Sequence, residues 1–285
     1  MLSYLHAFHA GNFADVHKHA SLVLAIRMMQ AKASGIACFD THAGSALYDL
    51  TGERALKTGE ADSGIRRVWA CRSKLSGDDW RALLSALSSA GNDTGSLTEY
   101  PGSPIWFQRY LRQQDSLSAF ELHPAEGGAL ADWAVRQKGG GRAGVRVFQE
   151  DGLKGLIGKL PPAQPRLLVL IDPSYEVKAD YESVAATLQQ AWQKCRHGVF
   201  LIWYPILAGR PDERLKAAIA TGPVRKVLCS EIVLNQQPDR GMSGSGMLVV
   251  NPPWGFDARL SAMLADVAGD QCLGVMPSLD WLVPE

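Results

Sequence analysis

The sequence predicts an α/β protein whose core is a seven-stranded, mostly parallel sheet with its last strand reversed. Three observations carry that expectation. Short apolar runs of strand length alternate with helical patterns along most of the chain, the order that covers a parallel sheet on both faces. Four of the runs close on an acidic residue, Asp40, Glu121, Asp151 and Asp172, at the carboxyl ends of strands, where open α/β sheets bind ligands. The last two runs are joined by residues 235–246, a polar Gly/Ser/Pro stretch without helical periodicity, so that pair is antiparallel.

Composition sets the outer bounds. With 285 residues, 46% hydrophobic and 20% charged, the chain can bury one large domain, or one domain carrying an insertion. No stretch approaches the roughly 20 uninterrupted apolar residues of a membrane span, and residues 1–16 lack the apolar core of a signal peptide. A soluble cytoplasmic protein is expected. The net charge of zero argues against gripping nucleic acid with the whole surface. The five cysteines are scattered, with no Cys-x-x-Cys pair, which argues against both structural zinc and a disulfide framework.

In chain order, residues 12–32 read as a helix. Asn12 is the N-cap, Asp15 follows three residues on, and Phe13, Val16, Ala20, Val23 and Leu24 share one face before Gly35. Residues 36–39 form a buried strand that ends in Asp40-Thr41-His42-Ala43-Gly44, a short glycine turn. The acidic residue closing the next strand in a dinucleotide-type fold lies roughly 20 residues past that turn. Here Glu121 lies 81 positions after Asp40, so something is inserted. Helical periodicity at 65–69 and 80–87 assigns residues 51–92 to a small helical subdomain, leaving 1–50 and 93–285 as the sheet domain.

That insertion carries Arg54, Lys57, Arg66, Arg67, Arg72, Lys74 and Arg81, with Trp69 and Trp80 between them. The stretch reads either as a local polyanion contact or as a solvated helical face. Further strands are expected at 117–122, 145–149, 167–171, 199–203, 227–234 and 247–250. Helices are expected at 105–111, 128–137, 152–159, 179–195 and 213–220, and Gly139 to Gly141 as a flexible turn.

The most pointed candidate site is Asp172-Pro173-Ser174-Tyr175, directly after the apolar run 167–171. An amine on an aromatic ring is a poor nucleophile because its lone pair is delocalised. An Asp carboxylate and the Pro173 carbonyl can accept its two N–H bonds and favour the pyramidal, reactive geometry, while Tyr175 stacks on the ring. An ordinary strand-to-loop turn is the plain alternative. Glu121 can accept both hydroxyls of a ribose, and Asp151 with Gly152 can meet an adenine amino group. A row of acids suits an adenosine with a positive charge better than a phosphate-rich dinucleotide.

His6, His9, His17 and His19 with Asp15 have metal-like spacing, but no supporting shell can be named, so no metal is assigned. Lys18 and His19 are expected either to reach the cofactor or substrate backbone from the first helix or to sit on an ordinary exposed face. Asn251-Pro252-Pro253-Trp254 looks like a better amine-binding tetrad than 172–175. If 247–250 is antiparallel, though, it lies on the wrong edge of the sheet and is structural.

Several segments together resemble one family: Met1-Leu2-Ser3-Tyr4, Phe8-His9-Ala10-Gly11-Asn12, Ala14-Asp15-Val16, Lys18-His19, Asp40-Thr41-His42-Ala43-Gly44, Thr58-Gly59-Glu60, Tyr100-Pro101-Gly102-Ser103-Pro104, Glu121-Leu122-His123-Pro124, Arg240-Gly241-Met242 and 251–254. This pattern is similar to the RlmJ family of 23S rRNA adenine-N6 methyltransferases and covers nearly the whole chain.

The resemblance implies a Rossmann-like methyltransferase fold with an inserted helical subdomain. It implies S-adenosylmethionine as cofactor and methylation of an adenine amine in 23S rRNA; a monomer acting before the large subunit is fully assembled is expected, with naked rRNA or an assembling particle as substrate and the oligomeric state left open. By position it implies cofactor contacts at His19, His42, Ser103, Glu121, Asp151, Gly152 and Asp172. Asp172 becomes the proton acceptor, with Pro173 and Tyr175 beside it, and Tyr4, Lys18 and Tyr175 meet the RNA. The usual Asp-Pro-Pro-Tyr is here Asp-Pro-Ser-Tyr, which loosens the loop at Ser174. A DNA adenine or cytosine amino-methyltransferase and a catalytically silent RNA-binding protein are the alternatives.

Overall fold

The computed structural model describes residues 5–88, 95–137 and 144–285. Helix α1 (Phe13–Met29) begins where the sequence places it, with the Asn12 side chain accepting the Asp15 amide and so satisfying one free N–H of the helix start. It differs from the expected one-sided helix, because every residue from Phe13 to Ile26 is buried. Polar groups on α1 therefore lie inside the protein, where each must find a partner.

Strand β1 (Ile36–Asp40) follows and is buried at every residue. Strands β2 (Leu47–Asp49) and β3 (Glu99–Pro101) pair antiparallel. Between them run α2 (Glu53–Thr58), α3 (Glu60–Ser63), α4 (Ile65–Ala70) and α5 (Asp78–Ser88). Ile65, Val68, Trp80 and Leu83 join the same apolar cluster as α1. Trp69 and Trp80 are both buried, and the Trp80 indole donates to the Met263 carbonyl at 2.9 Å. Neither ring is available to stack on bases. Arg66 pairs with Asp62, Arg81 with Asp78, and Arg67 bonds the Asp270 carbonyl, so much of this basic stretch serves local structure. Cys71, just after α4, is joined to Cys272 as a disulfide. The scattered spacing of the cysteines gives no sign of that pairing.

The second half supplies α6 (Ser103–Tyr110), β4 (Ser116–Phe120), α7 (Pro124–Arg136), β5 (Val145–Phe148), α8 (Gly152–Lys159), β6 (Arg166–Ile171), α9 (Asp180–Lys194) and β7 (Val199–Leu207). It ends with α10 (Asp212–Ala220), β8 (Val227–Leu234), β9 (Met242–Val250), α11 (Phe256–Val267) and β10 (Val275–Val283). Helix α1 packs against β9, α6 and α11, which explains its burial. Among the described residues no helix is long and apolar enough to cross a membrane.

The sheet has eight strands rather than seven, in the order β10-β8-β9-β7-β6-β1-β4-β5. Neighbours from β5 to β7 are parallel, and β9 runs antiparallel to both β7 and β8, as expected. The extra strand is β10, antiparallel to β8 at the edge. Its residues are mostly exposed or half-buried and it contains Pro277, so it lacks the continuous apolar run of an inner strand. Strand β9 also begins earlier than expected, because Gly244 and Gly246 belong to it. A Cβ on Gly246 would lie 2.0 Å from the Tyr204 ring, so the glycine is there to admit that ring.

Candidate active site

The strand order β5-β4-β1-β6 places Asp151, Glu121, Asp40 and Asp172 side by side along one edge of the sheet. Beside them opens a cleft of about 1570 Å³ that includes Asp15, Lys18, His19, Gly44, Glu121, Asp151, Asp172 and Trp203 in its lining. Small-molecule sites usually occupy roughly 300–1,000 Å³. This cleft has room for a cofactor and a nucleotide together.

The four acids are in different states. Asp151 caps α8, accepting the Leu153 and Lys154 amides. Glu121 accepts the Gly44 amide at 2.8 Å and the His123 amide at 2.7 Å, pinning the β1 turn to the end of β4. Burial lifts its pKa, against those two amides. Asp40 is fully buried, and no donor meets either carboxylate oxygen in hydrogen-bonding geometry. Burial lifts its pKa to about 7, with Ser103 acting in the opposite direction.

Asp172 has a cation beside it. Lys18 Nζ donates to Asp172 Oδ2 at 2.6 Å and to Asp15 Oδ1 at 2.8 Å. Asp15 Oδ2 in turn faces His6 Nε2 at 2.9 Å and accepts the Gly11 amide at 2.8 Å. Burial raises the Asp172 pKa and Lys18 opposes it, leaving a net upward shift. For Lys18 burial works against the charge, but Asp15 and Asp172 outweigh it and hold the ammonium well above its ordinary value. Asp15 lies well below its ordinary range, because His6 and Lys18 together overcome its burial. A single buried lysine thus bridges two carboxylates and keeps Asp172 an acceptor inside the protein.

Tyr175 has a φ of 53°, left-handed backbone that is uncommon for an aromatic residue and is typical of functional sites. Its hydroxyl donates to the Trp203 carbonyl at 2.8 Å, and its ring packs on Tyr181 with centroids 4.4 Å apart. Tyr181 and Trp203 flank the ring and leave it largely buried, and the small part that remains lines the cleft beside Pro173 and Ser174.

The histidines also find protein partners. His17 meets Ser230 and Ser245, His19 meets Tyr100 at 2.7 Å, and His9 pairs with Glu60 at 2.7 Å. His42 lines the cleft beside Thr41, and burial lowers its pKa to about 4. Ser103 starts α6 at the same wall. Tyr4 lies outside the described residues, as does the 139–141 turn.

The second tetrad is used elsewhere. The Asn251 side-chain amide donates to the Arg196 and Gly198 carbonyls, each at 2.8 Å, at the amino end of β7. That is the opposite edge of the sheet from Asp172. Two residues of the cleft do not declare themselves in the sequence. Asp15 reads there as a helix-start acid and as a companion of the histidines, and Trp203 only as the end of a strand, although β7 runs on to Leu207. The available signal for Trp203 is its place at the end of the strand next to the one that delivers Asp172.

An adenosine cofactor with a cationic centre fits these residues. His19 Nε2 is buried in the cleft wall with no hydrogen-bond partner. Gly44 adopts a φ of +60°, and a Cβ on Gly152 would lie 1.8 Å from the Thr41 carbonyl oxygen. Only glycine lets α8 start so close to the β1 turn.

Residues 33–282 match the family model described as ribosomal RNA large subunit methyltransferase D, RlmJ. The chain belongs to the RlmJ family. Ribosomal RNA large subunit methyltransferase J of Escherichia coli is 37% identical over 295 residues, covering 100% of both chains. Its namesake in Haemophilus influenzae is 36% identical over 267 residues, covering 93% of this chain and 92% of its own. A crystal structure of a Legionella pneumophila protein superposes with a TM-score of 0.87 at 30% identity, covering 96% of this chain and 98% of that one. The RlmJ fold is thus continuous over nearly the whole chain.

Proposed function

We propose that this chain transfers a methyl group from S-adenosylmethionine to N6 of an adenine in 23S rRNA. The observation that carries the reading is Asp172, held by Lys18, heading the tetrad on the same edge as Glu121 and Asp151. His19, His42, Ser103, Glu121, Asp151 with Gly152, and Asp172 would hold the cofactor. When bound, it supplies an electrophilic methyl group.

The protein's part is to prepare the amine. The target base flips out of its stack into the cleft and lies against Tyr175. Lys18 engages Asp172 Oδ2 and leaves Oδ1 to accept one N6–H, while the Pro173 carbonyl accepts the other. The nitrogen lone pair is thereby kept off the ring and aimed outward. The surplus proton passes from N6 to Asp172 or to water. Lys18 acts on the substrate through Asp172, and Tyr4, by family position, meets the RNA directly.

We also take residues 51–92 as an inserted subdomain on the 1–50 and 93–285 domain, closed at its base by the β2–β3 ribbon. We take the protein to be a cytoplasmic monomer acting before the large subunit is fully assembled. The test is to incubate it with S-adenosylmethionine and either unmodified 23S rRNA fragments or DNA, then analyse nucleosides by mass spectrometry. N6-methyladenosine from RNA alone is expected. Methylated deoxynucleosides would point to a DNA enzyme. No product, together with no heat on titrating S-adenosylmethionine, would point to a silent binder.

A further inference from the structure

His17 is a fully buried histidine that does not line the cleft. Its Nε2 lies 3.0 Å from Ser230 Oγ on β8 and its Nδ1 3.1 Å from Ser245 Oγ on β9, both serines also fully buried. Ser245 Oγ accepts the indole N–H of Trp203 at 3.0 Å. Either tautomer of a neutral His17 fits this chain: one ring nitrogen donates to a serine and the other accepts the second serine's O–H, and in both cases Ser245 Oγ keeps a lone pair for Trp203. Burial keeps the imidazole neutral, with a pKa lowered to about 3.

Trp203 lies at the other end of this chain of bonds. It lines the cleft, its carbonyl holds the Tyr175 hydroxyl, and its ring centroid is 6.0 Å from that of Tyr175. Lys18 Nζ, which grips Asp172, is 5.9 Å from the same indole. The sheet order sets Asp151 and Glu121, at the ends of β5 and β4, on the far side of β6 from β7. Strand β6 ends just before Asp172, while β7 runs on to Leu207 and carries Trp203 at the level of Asp172. We propose that Trp203 is the wall on which the target base rests, and that Ser245, itself held by His17, is a positioning residue that sets the plane of this indole. This rests on the methyl-transfer reading of the cleft.

The test compares Trp203→Ala, Trp203→Phe, Ser245→Ala and the Ser245→Ala/Trp203→Phe double variant with the wild type. Each is assayed for methyl transfer to an rRNA fragment, S-adenosylmethionine affinity by calorimetry, and melting temperature. Loss of a base stack should cost Trp203→Ala roughly ten- to a hundredfold in kcat/KM for RNA, with cofactor affinity near wild type. Trp203→Phe keeps a ring but loses the N–H, and Ser245→Ala loses the acceptor. Each should cost a few-fold, and the double variant should cost no more than either, because both remove one bond. A purely structural role would lower melting temperature without that non-additivity.

Full activity in Trp203→Ala, or a loss of its cofactor affinity as large as its loss of rate, overturns the base-wall assignment. Multiplying losses in the double variant overturn the positioning role. A wild-type protein that methylates no rRNA fails the underlying reading instead, and this proposal with it.

Discussion

At the scale of single residues, the centre of the site is the contact between Lys18 and Asp172. A carboxylate buried this deeply tends to take up a proton, and a protonated Asp172 accepts an N–H less well. Lys18 opposes that tendency. Activity needs the carboxylate, so it falls as pH drops through the raised Asp172 pKa. In Lys18→Met, burial loses its main opponent and the pKa rises further. The acid limb of the kcat profile should therefore move to higher pH, with a large loss of rate even at neutral pH, because the change takes the bridging ammonium from two buried carboxylates. A pH–rate profile with an unmoved acid limb would separate Lys18 from Asp172. The tetrad itself is legible in the sequence, since a carboxylate at the end of an apolar strand carries chemical meaning in its own right. The role of Lys18 is not, because its partner lies far along the chain and only the buried path of α1 brings the two together.

Among the elements, α1 departs most from its sequence reading. An apolar face from Phe13 to Leu24 predicts one buried side, yet β9, α6 and α11 enclose the helix and take its histidines inside. That enclosure has a thermodynamic signature. Burial lowers the His17 pKa from 6.5 to about 3, so between those values the unfolded chain binds a proton that the folded one refuses. The contribution of His17 to stability is complete above about 6.5 and is lost as pH falls. At pH 5 the loss from His17 alone is about 2 kcal/mol. Chemical denaturation at pH 7 and pH 5 should show a smaller drop for His17→Gln than for the wild type, by about that amount. Equal drops would mean that His17 is not neutral and buried. Strand β10, absent from the sequence reading, teaches a related lesson. It is an edge strand that contains Pro277 and is buried only at its two end residues, so the burial that makes inner strands legible is absent.

Across the whole molecule, the sheet order does what no local pattern could. It brings acids from four separate strands to one edge, and it sends the better-looking tetrad, 251–254, to the other. The parallel half, the reversed β9 and the helices between β2 and β3 are all legible, because alternating apolar runs and helical periods follow from burial alone. The basic and aromatic stretch within residues 51–92 is ambiguous, since composition cannot tell a Trp in a core from a Trp on a surface. Both rings lie inside. RNA recognition is therefore expected to centre on the cleft and its rim. Membership of the RlmJ family agrees with that layout from end to end.

The layout converges on Asp172 as the group that prepares an adenine amine for methylation. Its role is measured by the transfer of tritiated methyl groups from S-adenosylmethionine to unmodified 23S rRNA fragments by the wild type and by Asp172→Ala, with cofactor binding followed on both. The prediction is incorporation by the wild type, at least about a hundredfold less by the variant, and cofactor affinity only modestly weakened. An Asp172→Ala protein that methylates rRNA at the wild-type rate would contradict it.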